Sequence, residues 1–370
     1  MISFGPTEEQ ELIRETLREF AASELREAAR PSDEASQLPD ELLGKAWELG
    51  LASAAIPTEF GGDGTQRSPI TNAIMLEELG HGCVSLAAAA LSPSLFIHPL
   101  VDFGTEEQKR EYLPLFTTSK YHAASLAFQE PSFTFDATNL KTFAEVKGDG
   151  YELSGRKRLV PMGDRASHFL VLARGGTREG LDDLEAFIVP RDAAGLTIAP
   201  ELEKTMGLHS LPFVQLELDR VAVSAAARLG GADGIDGRRL LNSCRLGSAA
   251  LALGLARAVM ECAIPYAQER VAFGTPIARK QAIAFMLAEM QIEVNSMRWL
   301  IWKAASQLES GVDATRATTL AQTYVNRETM KIADNGVQVL GGHGFIRDYP
   351  MEMWYRNART LTVLDGLCAL

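Results

Sequence analysis

Helical spacing dominates the first part of the chain. Thr7 and Gln10 stand three residues apart, as in a capping box, and apolar side chains recur every three or four residues behind them. Two further stretches, "TNAIMLEELGHG" and "TEEQKREYLPLF", have the same period, and Thr105 is placed to cap the second. This pattern predicts an N-terminal helical domain over residues 1–120.

Between residues 121 and 232 the spacing changes to that of strands. The runs "FAEV" and "YELSG" flank "KGDG", which is the pattern of a β-hairpin with a tight turn. "HFLVLAR", "EAFIVP", "GLTIAP" and "FVQLELDRVAV" follow, each bounded by Gly, Pro or charged residues. Short strands repeated in this way predict a middle β domain over residues 121–232, either a small barrel or a sandwich.

Long helical patterns return over residues 233–370. In "QAIAFMLAEMQIEVNSMRWLIWKAA" the apolar positions advance in steps of four and three. These positions are Ile283, Leu287, Met290, Val294, Met297 and Ile301. They predict the core stripe of a C-terminal helical bundle, and the order of helices, strands and helices predicts an α+β fold.

Composition and charge exclude several classes of function. The chain is 46% hydrophobic and 23% charged, which is typical of a folded protein rather than a disordered one. Its net charge of -12 argues against nucleic-acid binding, which depends on neutralising phosphates. The N-terminal sequence is acidic, so we expect no secretory signal. No stretch approaches the roughly 20 apolar residues that a membrane span requires, so we expect no membrane insertion and a cytoplasmic location.

The cysteines and histidines predict no metal site. The four cysteines form no C-x-x-C pair, which is typical of reduced thiols in a cytosolic protein. They are Cys83, Cys244, Cys262 and Cys368. The six histidines are scattered and form no H-E-x-x-H motif, so we expect no bound metal.

Two stretches of the C-terminal region allow more than one interpretation. In "YAQERVAFGTPIARKQAIAFMLAEM", a Phe-Gly-Thr-Pro turn joins two helical patterns, which by itself predicts an αα-hairpin. In "NGVQVLGGHGF", Gly341 and Gly342 end a helical pattern. They are either a glycine C-cap or a place of close backbone approach to a phosphate, since glycines let N–H groups face an anion.

Eight stretches, in the same order, resemble the acyl-CoA dehydrogenase family. They are "IPTEFGG", "LEELG", "FGTEEQKREYLP", "QEP…D…LKTFA", "GYELSGRKRLVP", "YAQERVAFG…Q", "QVLGGHGF" and "YPMEMWYRNAR". The resemblance implies an FAD enzyme that oxidises the Cα–Cβ bond of an acyl-CoA thioester to the 2-enoyl-CoA. It also implies electron transfer to an electron-transfer flavoprotein, and a C-terminal region built as a four-helix bundle.

The resemblance assigns residues to the cofactor and the substrate. It implies flavin contacts in the β domain by Phe128, Gln129, Val160 and Pro161. It implies contacts with the FAD of a neighbouring subunit by Arg270, Phe273 and Gln281, and with its pyrophosphate by Gln338, Gly341 and Gly342. It places Asn242, Arg245 and Gly366 near the thioester and pantetheine. A flavin site shared in this way implies a dimer of dimers, as a homotetramer or as a heterotetramer with a related chain.

The chain departs from the family pattern at the catalytic base. The family has a Glu there in a "Y-E-G-T" motif, and the matching stretch here is "VLDGL", so the resemblance makes Asp365 the base. The alternative family position for the Glu holds Cys244. In the β domain, Gln129, Leu159 and Pro161 replace the usual Thr, Trp and Thr, so part of the flavin-facing wall is altered.

These departures leave three hypotheses open. Leu367 stands where the family usually continues with a Thr and another helix, so we expect the FAD contacts of that helix to be missing from these 370 residues. The first hypothesis is an active acyl-CoA dehydrogenase that uses Asp365. The second is a non-catalytic partner subunit of a heteromeric enzyme, and the third is a flavin oxidase or monooxygenase on the same scaffold. The length of the acyl group depends on cavity shape, which the sequence does not predict.

Overall fold

The N-terminal part of the protein is helical in the computed structural model, which describes residues 5–132 and 134–370. Its helices are α1 (Glu8–Phe20), α2 (Glu27–Ala35), α3 (Asp40–Glu48), α4 (Pro69–Leu91), α5 (Ser94–Phe103) and α6 (Glu106–Tyr112). Both predicted helix starts are confirmed. Thr7 at α1 and Thr105 at α6 each form a complete capping box with the Gln three residues later.

A seven-stranded sheet follows the helices. Its strands are β1 (Ala124–Ala127), β2 (Phe143–Lys147), β3 (Gly150–Pro161), β4 (His168–Arg174), β5 (Leu184–Pro190), β6 (Leu196–Ile198) and β7 (Phe213–Ser224). The order across the sheet is β1-β4-β2-β3-β7-β6, and β5 pairs with β4. The predicted hairpin is confirmed, because β2 and β3 pair antiparallel from Lys147 opposite Gly150.

Four helices form the bundle after the sheet. They are α7 (Gly237–Glu269), α8 (Gln281–Glu309), α9 (Thr315–Leu340) and α10 (Met351–Leu361), and a small hairpin of β8 (Val271–Ala272) and β9 (Thr275–Pro276) joins α7 to α8. The predicted stripe on α8 is buried from Met290 to Ile301 and half-buried at Ile283 and Leu287. The stripe is therefore confirmed as core, with its first turn at the edge.

The direction of the bundle helices follows from contacts at their ends. The Asn242 side chain near the start of α7 donates to Thr315 Oγ1 at the start of α9 over 3.1 Å. The Tyr266 hydroxyl near the end of α7 donates to the Leu340 carbonyl at the end of α9 over 3.2 Å. α7 and α9 are therefore parallel, and the bundle has one end near Thr315 and an opposite end near Leu340.

α4 and α7 pack closely enough to join the N-terminal helices to the bundle. A Cβ at Gly80 would lie 2.4 Å from the Leu251 carbonyl oxygen, and one at Gly254 would lie 2.2 Å from the Glu77 carbonyl oxygen. The buried Arg257 guanidinium of α7 donates to Glu77 over 2.8 Å, which adds an ion pair across the same contact. The α+β fold predicted from the sequence is thus confirmed, with one core running from α1 into the bundle.

Both α4 and α7 are long and apolar enough to cross a membrane, which corrects the expectation that no stretch reaches this length and apolarity. The most apolar window of α4 is 89% buried inside the protein and that of α7 is 83% buried. Both are interior helices that pack against each other. Burial, rather than length or composition, decides the interpretation of such a helix.

Candidate active site

A cleft of about 640 Å³ lies between the sheet and the bundle. Gln129 and Leu159 line it from the sheet side, and Gln322 lines it from α9. Asp365, the residue predicted as the base, lines the same cleft. A cleft between two layers is a common place for a cofactor or substrate, so the predicted base stands at a site where a ligand fits.

The carboxylate of Asp365 is held by three donors. Arg245 on α7 donates through Nε to Oδ1 over 3.0 Å and through Nη2 to Oδ2 over 2.9 Å. Gln322 on α9 donates through Nε2 to Oδ1 over 2.9 Å. The side chains of Asp365 and Arg245 are only 17% and 23% exposed, so this two-pronged ion pair is largely shielded from water.

The backbone at Gly366 requires glycine. Its φ angle is +102°, and a Cβ there would lie 3.2 Å from Cys244 Cβ on α7. The backbone bends at Asp365, and the carboxylate of this residue lies against Arg245. Burial, together with the charge of Asp365, raises the pKa of the Cys244 thiol to about 12, so this side chain stays neutral beside the carboxylate.

A buried ion pair fixes the sheet wall of the cleft. Lys157 Nζ on β3 donates to Glu130 Oε1 and to the Phe128 carbonyl, each over 3.0 Å. Glu130 also accepts from the backbone N–H groups of residues 141 and 142. Burial lowers the pKa of Lys157 to about 8, against the attraction of Glu130. The pair ties the segment after β1 to β3, which holds Gln129 beside Leu159.

The four predicted flavin contacts of the β domain lie in different environments. The Gln129 amide donates to the Val363 carbonyl over 3.0 Å and so links the sheet to the segment before Asp365. Phe128 and Pro161 line a small cavity behind the cleft, and Val160 is buried in the core of the sheet. Among these four residues, only Gln129 lines the larger cleft.

The predicted contacts to a second FAD lie at the opposite end of the bundle. They are Arg270, Phe273, Gln281, Gln338, Gly341 and Gly342, and all six are exposed. Gln322 and Gln338 both belong to α9, and their offset of 16 positions corresponds to about 24 Å along the helix axis. The structure therefore separates the predicted site residues into two groups, one beside Asp365 and one far from it.

Gly341 and Gly342, which follow α9, differ in backbone conformation and surroundings. Gly341 is the C-cap of α9 with φ +59°, so the C-cap interpretation is confirmed for this residue. Gly342 has no left-handed φ, and a Cβ there would have nothing within 4 Å in this chain. The packing of the chain itself does not require glycine at Gly342, which is compatible with a molecule approaching from outside.

Asn242, predicted to lie near the substrate, is 4% exposed, and its amide nitrogen donates to Thr315. It joins α7 to α9 and does not line the cleft that contains Asp365. A larger cavity of about 890 Å³ lies between residues 36–40 and 201–212, and none of the predicted site residues lines it. Over residues 5–132 and 134–370, no group of three His, Cys, Asp or Glu side chains is arranged to hold a metal ion.

Family models match the three regions of the chain one after another. The acyl-CoA dehydrogenase N-terminal domain matches residues 7–120, the middle domain residues 125–221 and the C-terminal domain residues 236–367. The chain belongs to the acyl-CoA dehydrogenase family. Because these models cover most of the chain, the resemblance seen in its motifs is confirmed.

Individual acyl-CoA dehydrogenases and related proteins match over nearly the whole length. An acyl-CoA dehydrogenase of Bacillus subtilis is 32% identical over 97% of this chain and 95% of its own. A subunit of the caffeyl-CoA reductase–Etf complex of Acetobacterium woodii is 32% identical over 97% of this chain and 95% of its own. The structure of butyryl-CoA dehydrogenase from Megasphaera elsdenii superposes with a TM-score of 0.88 at 28% identity, covering 99% of this chain and 96% of that one.

Acyl-CoA dehydrogenases are FAD flavoproteins and oxidoreductases that act on CH–CH bonds, and FAD is the cofactor of this chain. The residues present fit this group. The cleft beside Asp365 offers about 640 Å³, and Leu159 presents an apolar side chain to it. Gly342 leaves open space for close approach of a phosphate at the other end of the bundle.

The sequence did not identify Gln322 as a member of this site. It follows the buried Ala321 on α9, and no local pattern distinguishes it from a solvent-facing glutamine. Its role depends on a contact with a residue 43 positions away in the chain. The buried pair of Lys157 and Glu130 was missed for the same reason, since its partners are 27 residues apart.

Proposed function

We propose that this protein is an FAD-dependent acyl-CoA dehydrogenase that oxidises the Cα–Cβ bond of an acyl-CoA thioester to the 2-enoyl-CoA, with Asp365 as the base. The observation that supports it best is the Asp365 carboxylate, which lines the cleft between sheet and bundle and is aimed by Arg245 and Gln322. A base near the α-carbon is what this reaction requires from the protein. The four free cysteines agree with a reducing, cytoplasmic location.

The two oxygens of Asp365 are not equivalent. Among the described residues, Oδ1 accepts from both Arg245 and Gln322, while Oδ2 accepts only from Arg245. Oδ2 therefore keeps more of its lone-pair capacity and is the oxygen that takes the α-proton. Once it is protonated, the Arg245 guanidinium loses its counter-charge, and its positive field then stabilises the enolate-like charge that develops on the substrate.

Bound FAD supplies the acceptor for the hydride that leaves the β-carbon. The sheet wall, fixed by the pair of Lys157 and Glu130, positions Gln129 and Leu159 against the cleft. The Etf complex of the related Acetobacterium subunit supports an electron-transfer flavoprotein as the partner that receives the electrons. Acyl-CoA is the substrate in this proposal, and the identity of its acyl group is a separate question.

The flavin site is shared between subunits in this proposal. Gln338 lies about 24 Å along α9 from Gln322, the neighbour of Asp365. Arg270 and Gln281 lie at the same end of the bundle as Gln338, so these three residues would contact the FAD of a neighbouring subunit. Phe285, Ile292 and Trp299 on α8 are at least half exposed and share the face that begins at Gln281. An exposed apolar stripe beside these residues supports a dimer of dimers, as a homotetramer or as a heterotetramer with a related chain.

Replacement of the base tests the proposal. Asp365→Asn keeps the size and shape of the side chain but removes the proton acceptor. We therefore expect FAD to stay bound while reduction by an acyl-CoA that reduces the parent protein slows by at least about 1,000-fold. Asp182→Asn, on an exposed pair with Arg238, is the matched control and should reduce its flavin at the parent rate. Anaerobic stopped-flow absorbance of the flavin measures both. Reduction of Asp365→Asn at the parent rate would contradict the role of Asp365.

A non-catalytic partner subunit is the second candidate. The three hydrogen bonds that the Asp365 carboxylate already accepts favour it. A base with three donors on its oxygens is less available than a free one. Purification of the chain alone distinguishes the two candidates. About one FAD per chain and reduction by a thioester support the enzyme, whereas a chain that binds FAD and reacts only after addition of a related chain supports the partner subunit.

A further inference from the structure

Strand β3 contains a β-bulge where it borders the cleft beside Asp365. Its pairing with β7 shifts register between Lys157 and Val160, so Arg158 and Leu159 together face a single residue of β7. Leu159 has a φ of +50°, in the left-handed region that residues with a side chain rarely adopt, and it lines the cleft. Bulges next to functional sites redirect side chains, and this one places Leu159 on the cleft.

The carboxylate of Glu203 accepts hydrogen bonds from both residues of the bulge. Its Oε1 accepts from the Leu159 N–H over 2.6 Å. Its Oε2 accepts from Arg158 through Nη2 over 2.6 Å and through Nε over 3.1 Å. The Glu203 side chain is only 6% exposed, and in the part of the chain that the structure describes its carboxylate accepts from no other residue. This buried charge therefore serves the bulge.

The segment that carries Glu203 is itself held in place by two other elements. The Glu203 amide donates to the carbonyl of Phe213 on β7 over 2.9 Å. Five residues later, the Leu208 amide donates to Oδ1 of Asn357 on α10 over 2.7 Å. Because its own backbone is fixed to the sheet and to the bundle, Glu203 sets the position of Leu159 rather than following it.

We infer that Glu203 is a positioning residue for the flavin, because it holds Leu159 in the backbone conformation that keeps the leucine side chain in the cleft. This inference rests on the proposed function only in placing the flavin of this chain beside Asp365. Without a compensating contact, a left-handed residue is disfavoured by about 5- to 30-fold. Without the Glu203 carboxylate, the conformation that presents Leu159 to the flavin becomes a minor one, and the apparent affinity for FAD falls with its population.

The test measures the dissociation constant of FAD by titration of the FAD-free protein. Glu203→Met removes the acceptor at similar volume and should weaken FAD binding by at least about 5-fold. Glu203→Gln keeps an oxygen for the Leu159 N–H, so its affinity should lie closer to the parent than to Glu203→Met. Glu185→Met is the matched control, because Glu185 is a carboxylate of 7% exposure that forms a two-pronged pair with Arg228 away from the cleft. It should bind FAD as the parent does.

A double variant shows whether Glu203 acts through Leu159. Glycine adopts a left-handed backbone without steric cost, so the carboxylate has no side chain to position in Leu159→Gly. Adding Glu203→Met to Leu159→Gly should therefore change the dissociation constant by less than about 2-fold. As a second measurement, dissolved oxygen should reoxidise the photoreduced flavin faster in Leu159→Gly and in Glu203→Met than in the parent, because the wall beside the flavin is open.

The outcomes separate this inference from the proposed function. Equal losses of FAD affinity in Glu203→Met and Glu185→Met would make Glu203 a structural ion pair, and the inference would be wrong. Effects of Glu203→Met and Leu159→Gly that multiply would also overturn it. If Glu203→Met does not fold, Leu159→Gly decides: weaker FAD binding with faster reoxidation supports the inference, and parent values contradict it. The proposed function is tested separately by Asp365→Asn, which leaves the bulge unchanged.

Discussion

The ion pair between Arg245 and Asp365 should stabilise the protein measurably, and a double-mutant cycle isolates its contribution. The cycle compares Arg245→Met, Asp365→Asn and the double variant with the parent protein. Each single change leaves one partner of a two-pronged pair without its counter-charge. Arg238 and Asp182 provide the control cycle, because they form a similar two-pronged pair on the surface.

Burial sets the expected magnitude. The side chains of Arg245 and Asp365 are 23% and 17% exposed, against 48% and 53% for Arg238 and Asp182. Breaking a fully buried pair costs about 3–5 kcal/mol, whereas an exposed pair contributes about 0–1 kcal/mol. The largely shielded pair lies between these limits, so we expect a coupling energy of about 2 kcal/mol for it and less than about 0.5 kcal/mol for the control.

Urea unfolding at fixed FAD and protein concentrations gives the four free energies of each cycle, because bound cofactor changes apparent stability. The parent m-value must be retained by every variant for the comparison to hold. Additive losses at Arg245 and Asp365, with a coupling no larger than that of the control pair, would refute the reasoning. In that case Arg245 would be a solvated helix charge, and the carboxylate would not be held as the structure has it.

Three further predictions concern other parts of the protein. Burial, with Arg67 nearby, lowers the pKa of His98 from 6.5 to about 3, so between these pH values the unfolded state binds more protons than the folded state. The free energy of unfolding, measured by urea titration, should therefore fall by about 2 kcal/mol from pH 7.5 to pH 5. His98→Gln should not show this fall. Gly342→Val should leave the free energy of unfolding of the FAD-free protein within about 0.5 kcal/mol of the parent value, while FAD retention falls. Gly366→Ala should lower the free energy of unfolding by about 1–2 kcal/mol, because Gly366 has a φ of +102°. Ile292→Glu should lower both subunit assembly and FAD content, measured by light scattering and flavin absorbance, because burying an unpaired carboxylate costs several kcal/mol; a fully assembled, flavin-loaded variant would contradict the interface.

Local features of the fold were readable from the sequence because they depend on residues a few positions apart. The capping box of Thr7 and the hairpin after Lys147 need only residues within one turn, and both are present. The stripe from Met290 to Ile301 depends on helical period alone and is buried as predicted. The helices α4 and α7 are long and apolar enough to cross a membrane, which the sequence analysis did not predict. Their burial inside the protein is a property of the assembled fold.

The site depends on contacts that no local pattern contains. Arg245 and Asp365 are 120 residues apart, and Gln322 comes from a third segment of the chain. The family resemblance supplied Asp365 and Arg245 as candidates, but it did not predict that they bind each other. It also placed Asn242 near the substrate, whereas the structure uses its amide to join α7 to α9. Hydrogen bonds between side chains so far apart in the sequence become visible only in the folded structure.

The most direct test of the account is whether Asp365 removes the α-proton of a bound thioester. Incubation of the FAD-containing protein with an acyl-CoA that reduces its flavin, in deuterated water and without an external electron acceptor, reports this step as deuterium incorporated at the α-carbon, measured by mass spectrometry. The account predicts incorporation by the parent protein and its loss in Asp365→Asn with FAD still bound. Equal incorporation by both proteins, or none by an FAD-loaded parent, would contradict it.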